Sequence, residues 1–197
     1  MYKIEEIIEA LLYFADSQEI RTKIVKACYL LESEYFDKTG KRLTNVEYKY
    51  HYYGPYSETI VEAMEKDENI MCNPQISMNG NDYILYMLKK TSVISEIDPL
   101  TLSFIEKWAK IMKQMTPEKI KKIAYEDKNF KRTARGKIIN LESDFLRKKE
   151  LLKERVKVRF GSRNLSKEEL EGLNKDIDED LLKYSMQLLS EPNDHSR

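Results

Sequence analysis

Two stretches of this chain concentrate residues that could do chemistry. Five of the 13 tyrosines stand between Tyr48 and Tyr56, interleaved with Lys49 and His51. Eight cations stand between Arg147 and Arg163, namely Arg147, Lys148, Lys149, Lys153, Arg155, Lys157, Arg159 and Arg163. The chemistry these types offer is recognition. Tyrosine gives a large contact area at low entropic cost, with a hydroxyl to set direction. A run of cations meets phosphates, or a protein surface of opposite sign. Reaction chemistry finds much less. The two histidines are His51 and His195, and neither has a Ser, Cys or Asp spaced for a triad or a second His at metal-binding spacing. Gly-rich phosphate loops are missing from the sequence, and the Tyr125-Glu126-Asp127 cluster reads as a helix end or a surface feature. Cys28 and Cys72 lie far apart in apolar contexts and read as buried thiols, not a disulfide. The expectation is no enzyme, no metal and no cofactor.

Helices must position both stretches. Ile4, Ile7, Ile8, Leu11 and Leu12 make one apolar face of a helix over residues 2–15, with Glu5, Glu6 and Glu9 outward. Asp16-Ser17 breaks it, and a second helix runs from Gln18 to Asp37 with Ile24, Ala27, Cys28, Leu31 and Tyr35 inward. Thr39-Gly40-Lys41 stops that helix, because glycine accepts the left-handed conformation that closes helix ends. In the extended segment that follows, Tyr48, Tyr50 and Tyr52 fall on one side and Lys49, His51 and Tyr53 on the other. Either the run packs one helix on the next, or it is a binding surface. The alternation suits both, one side buried and the other available. Gly54-Pro55 forces a fold-defining turn, and a helix follows from Ser57 to Lys66. Ile70–Ser77 and Asp82–Lys89 flank Asn79-Gly80 as a β-hairpin.

The second half is helical again. Asp98-Pro99 and Thr116-Pro117 are N-cap and N1 pairs, each with an apolar staple. Leu141 to Arg159 reads as a helix with a poor apolar stripe, ended by Gly161-Ser162. Ser166-Lys167-Glu168-Glu169 is a capping box for a last helix carrying Leu170, Leu173, Ile177, Leu181, Tyr184 and Leu188. A formal net charge of zero hides an uneven distribution: −7 over residues 1–106, +12 over 107–163 and −5 over 164–197. The basic segment can therefore grip nucleic acid, meet an acidic partner, or pair with the acidic last helix as an antiparallel hairpin. No apolar run approaches the ~20 residues of a spanning helix, and the acidic N-terminus is unlike a secretory signal. A cytoplasmic location is expected.

Three motifs stand in order. They are Lys23-Ile24-Val25-Lys26-Ala27-Cys28-Tyr29-Leu30, Thr39-Gly40-Lys41-Arg42-Leu43-Thr44 and Tyr53-Gly54-Pro55-Tyr56-Ser57. A weaker echo follows in Ala124-Tyr125-Glu126-Asp127, Phe130-Lys131-Arg132-Thr133 and Gly136. The arrangement resembles the Panacea domain, the SocA-like antitoxin family of bacteria, archaea and their phages. Its pattern is a K-L-x-K-L-L-Y-x-A-x helix, then T-G-x-x-L-T, then an aromatic segment ending Y-G-P-Y-S. The likeness covers roughly residues 1–140, with Cys28, Glu32 and the C-terminal extension departing from it. It implies a phage-associated antitoxin that binds and neutralises a partner toxin, or an adaptor that delivers the partner to a protease.

The expected architecture is mainly α with a small β-hairpin: a winged-helix-like core over residues 1–140, its hairpin at 70–89, then a basic and acidic helical hairpin over 141–197. The expected partner contacts are Tyr50, Tyr52, Tyr53 and Tyr56 around the Gly54-Pro55 turn. The alternative is a nucleic-acid-binding regulator using the basic segment 107–163. Against it, the third helix carries Glu58, Glu62 and Glu65 and the hairpin lacks Lys and Arg from Met71 to Leu88, surfaces that phosphates avoid.

Overall fold

A computed structural model describes residues 1–89 and 97–160, with 168, 171, 172, 175, 178, 179 and 183 beyond them. The elements in order are α1 (Ile4–Ala15), β1 (Glu19–Ile20), α2 (Arg21–Thr39), β2 (Lys49–His51), β3 (Gly54–Tyr56), α3 (Glu58–Lys66), β4 (Ile70–Ile76), β5 (Asp82–Leu88), α4 (Pro99–Gln114), α5 (Pro117–Glu126), α6 (Lys128–Arg132) and α7 (Asp144–Phe160). The fold is mainly α with small antiparallel sheets. By contacts the chain divides into two units, Met1–Tyr35 with Arg42–Leu141, and Phe36–Lys41 with Glu142–Arg197.

In the first unit the apolar stripe of α1 is buried as its spacing requires, and it packs on α4 through Phe104, Ile105, Trp108 and Met112. Asp98 caps α4, its Oδ1 accepting from the Thr101 N–H at 3.0 Å, and Thr116 does the same for α5. α2 differs from these amphipathic helices, since residues on every side of it are buried. A helix surrounded by protein must answer each polar side chain it carries. Lys23 meets Glu19 at 2.6 Å, and Ser33 meets Asp127 Oδ2 at 3.0 Å. Glu32, 1% exposed, accepts from the Leu43 N–H at 3.1 Å, the Thr44 N–H at 3.0 Å, the Thr44 hydroxyl at 2.9 Å and Arg42 Nε at 2.5 Å. That carboxylate pins the chain leaving α2 back onto the helix.

The larger sheet has the order β1-β5-β4, with Cys72 opposite Tyr86 and Glu19 opposite Tyr86 on the other side. β4 is its edge. Cys72 is therefore exposed, which corrects the expectation of two buried thiols; Cys28 alone is buried. The expected second helix also begins later, at Arg21, because Glu19–Ile20 pairs with β5 instead. Among the described residues no helix is long and apolar enough to cross a membrane.

In the second unit Gly40 closes α2 at φ +67°, and a Cβ there would stand 2.8 Å from the Leu146 side chain. Asp37 Oδ1 accepts from the Asp144 N–H at 2.8 Å, capping α7. α7 starts at Asp144, three residues later than its sequence pattern indicates. The Ser143 hydroxyl accepts from the Leu146 N–H at 3.2 Å, and with the Asp37 carboxylate it marks that start. The Gly161-Ser162 stop, the Ser166 to Glu169 capping box and most of the last helix lie outside the described residues, although Glu168, Glu171, Asp178 and Glu179 are helical.

Candidate partner-binding site

The tyrosine run is built outward from α2. β2 and β3 form a tight antiparallel hairpin, Lys49 opposite Tyr56, Tyr50 opposite Pro55 and His51 opposite Gly54. The tip of this hairpin is Tyr52-Tyr53, so Gly54-Pro55 forms the returning strand and not the turn itself. A further stretch lies along β2: the Tyr50 N–H donates to Lys137 O at 2.8 Å and the Ile139 N–H to Tyr48 O at 2.7 Å. β2 is thus bonded on both edges, by β3 on one and by residues 136–139 on the other.

Alternation holds for the first half of the run and fails at the tip. Tyr48 is buried, its ring edge-on to Tyr29 at 5.2 Å. Tyr50 is half-buried and stacks on Phe130 at 4.2 Å, so only part of its ring is open to a partner. Tyr56 is half-buried, 5.5 Å from the His51 ring. Tyr52 and Tyr53 leave the pleat together and are 66% and 61% exposed, their rings edge-to-face at 5.0 Å. Arg135 lies over the Tyr52 ring at 5.6 Å, within cation–π range. From α5 the Tyr125 hydroxyl donates to Tyr52 O at 3.0 Å.

Beneath the tip sits Lys26, only 4% exposed, donating to Pro55 O at 2.5 Å. Burial, with repulsion from Lys121, lowers its amine to about 8. Gly54 has φ +92°, and a Cβ there would lie 3.2 Å from Lys26 Cε and 3.5 Å from Tyr125 Cε1. Glycine satisfies both the positive φ and the close approach. Asp127 closes the base of the site. It accepts from the Tyr29 hydroxyl, from Ser33 at 3.0 Å, and from the N–H groups of Asn129 at 2.9 Å and Phe130 at 3.1 Å. Burial, then the Asp127 charge, pushes the Tyr29 phenol up. The helix-end role read for Asp127 therefore holds, and it also ties α2 to α6.

Three of these features escaped the sequence reading. Glu32 looked like a departure but clamps the loop after α2; Lys26 looked like a motif position but is a buried cation; the backbone bonds of residues 136–139 to Tyr48 and Tyr50 gave no signal. The pairing of Glu32 with Thr44, twelve residues on, needs the tertiary turn and has no local signature.

Of the basic segment, Arg147 and Lys148 are exposed and Lys153 is half-buried. Lys149 pairs with Asp178 at 2.5 Å, so this cation is spent on the acidic helix. Arg155, Lys157 and Arg159 belong to α7 with side chains outside the described set, and Arg163 lies outside it altogether. Arg147–Arg163 and the tyrosine run belong to different units. Among the described residues no three His, Cys, Asp or Glu side chains cluster to hold a metal. His51 is exposed on β2; His195 lies outside the described residues. Burial pushes the Cys28 thiol up and leaves it inert.

Comparison with curated proteins finds no match, and comparison with solved structures finds none either. A family model does match residues 24–141, the stretch holding Glu32, the tyrosine hairpin and Asp127, and on it the chain belongs to the antitoxin SocA-like, Panacea domain family.

Proposed function

We propose that the protein is an antitoxin that neutralises a partner toxin by direct contact, and that the Tyr52-Tyr53 tip is the centre of the contact. One observation carries this reading: two adjacent tyrosines are exposed on a hairpin whose every other element is fixed. Lys26, Tyr125, the Tyr50–Phe130 stack and the 137–139 backbone all hold its conformation. Large aromatics held rigid in solvent are what interface hot spots are made of, because little entropy is lost when they dock. Family membership supplies the general antitoxin role.

A regulator that binds nucleic acid on a winged-helix-like scaffold is the second reading, and the cations of 107–163 are what favour it. The exposed acids of α3 and the pairing of Lys149 with Asp178 weigh against it. Coexpression with the toxin encoded beside the gene tests the first reading. The wild-type chain restores growth; Tyr52→Ala/Tyr53→Ala does not, while its thermal midpoint stays near wild type. Rescue by the double variant would mean that the contact lies elsewhere.

A further inference from the structure

We infer that the Tyr52-Tyr53 tip receives an acidic stretch of the partner polypeptide, whose carboxylates meet Arg135 and Lys121 beside the buried Lys26 ammonium. This rests on the antitoxin reading and adds the chemistry of the segment bound. The argument is one of unmatched charge. Lys26 is 4% exposed, and its bond goes to a neutral carbonyl, Pro55 O; no carboxylate ion pair reaches its Nζ among the described residues. An ammonium so buried with no counter-charge is held at a loss in the free protein. Lys121, half-buried, stands on α5 one turn before Tyr125, whose ring flanks Gly54 together with Lys26, and so adds a second cation on this side of the hairpin. Arg135 is exposed and rests on the Tyr52 ring, poised beside the tip with its fork of donors.

The nearby acids do not answer these cations. Glu126 is taken by Lys131, and Asp127 faces inward to Tyr29 and Ser33. Glu58 opens α3, where it faces the positive end of that helix. An incoming carboxylate would therefore supply the charge the site lacks, while the rings bury apolar stems of the same segment. Nucleic acid would satisfy the cations and stack on the rings as well. The acidic α3 and the β4–β5 hairpin, whose charge is Asp82 with no cation from Met71 to Leu88, would repel its continuing backbone, so a short acidic peptide fits better.

The test uses the full-length protein at low salt with three fluorescent probes: a glutamate-rich peptide bearing one aromatic residue, the same peptide with glutamine throughout, and oligo(dT). The glutamate peptide should bind at least about tenfold tighter than its glutamine counterpart, and Arg135→Glu should weaken it about tenfold. Arg135 is an exposed loop residue, so circular dichroism of this variant should match wild type; Lys121→Glu serves as a second, independent reversal. Equal binding of the two peptides, or wild-type affinity in both variants, overturns the inference. Oligo(dT) binding tighter than the glutamate peptide overturns it too, and makes the tip a nucleic-acid platform. If Arg135→Glu and Lys121→Glu lose the peptide yet still neutralise the toxin, this inference fails and the antitoxin reading stands. If the peptide binds as expected but the wild-type chain neutralises no toxin, the antitoxin reading alone fails.

Discussion

Lys26 sets a measurable pH signature at the level of a single residue. Its amine titrates at about 8 in the folded protein, against 10.5 for an unburied lysine. The unfolded chain therefore holds this proton over a range where the folded chain has released it, so stability rises with pH across that range. Below pH 8 the penalty is at its full size, about 3 kcal/mol as an upper figure from the shift. Lys26→Met removes the cation and loses the bond to Pro55 O, which offsets part of the gain. The expected outcome is that the stability of Lys26→Met relative to wild type falls by about 2 kcal/mol between pH 7 and 10. Denaturant unfolding of both proteins across that range measures it, since every ionisation common to the two proteins cancels in the difference. A constant difference would mean that Lys26 is solvated. Glu32 has the opposite character, a buried carboxylate answered by four donors. Glu32→Ala leaves the Leu43 and Thr44 N–H groups and the Arg42 Nε–H unanswered, and should destabilise by about 3 kcal/mol. Thermal unfolding checks it directly.

Among the elements, the ones legible from sequence were those whose signals are local. The α1 stripe, the Asp98-Pro99 and Thr116-Pro117 caps and the β4 and β5 strands each depend on neighbours within a few residues, and the structure has them where the patterns put them. The tyrosine segment was legible only as far as the pleat runs. Alternation correctly separated Tyr48 and Tyr50 from Lys49 and His51, but a hairpin tip has no alternate faces, so Tyr52 came out with Tyr53. The Glu32 clamp and the bonds of residues 136–139 to Tyr48 and Tyr50 join residues far apart in the chain, which no local period encodes. Gly54 belongs to this scale because it fixes the geometry of the whole hairpin. Gly54→Ala combines a positive φ with a Cβ 3.2 Å from Lys26 Cε. It should lower stability by about 1–3 kcal/mol and displace the Tyr52-Tyr53 tip, so that toxin neutralisation suffers beyond what the stability loss explains. A comparison with Gly136→Ala, where a Cβ meets nothing within 4 Å at a similar φ of +77°, isolates the packing part. Equal effects of the two substitutions would reduce Gly54 to an ordinary turn glycine.

At the scale of the molecule, each unit has its own means of cohesion. The first buries a continuous apolar core from Ile7 to Trp108 to Ile120, and Trp108 Nε1 donates to Glu34 Oε2 at 2.7 Å within it. The second has few buried apolar groups among its described residues, Phe145 being one, and relies on the Asp37 cap, the Gly40 contact and the Lys149–Asp178 pair. Burial of apolar area at roughly 25 cal/mol per Å² stabilises far more than one cap and a half-exposed ion pair, each worth about 1 kcal/mol or less. A chain ending at Leu141 should therefore unfold cooperatively, with the blue-shifted emission of a buried Trp108, and should keep its affinity for the partner. Reversing Lys149 to glutamate in the full chain should leave that Trp108 transition unmoved and lower only the helical signal of the second unit, by a coupling of about 0.5 kcal/mol restored in Lys149→Glu/Asp178→Lys. Tryptophan fluorescence and far-ultraviolet circular dichroism, followed through one denaturant titration, separate the two. Loss of Trp108 burial on truncation would show that the basic and acidic helices complete the first core, and would make the C-terminal half part of the same folding unit as the tyrosine tip.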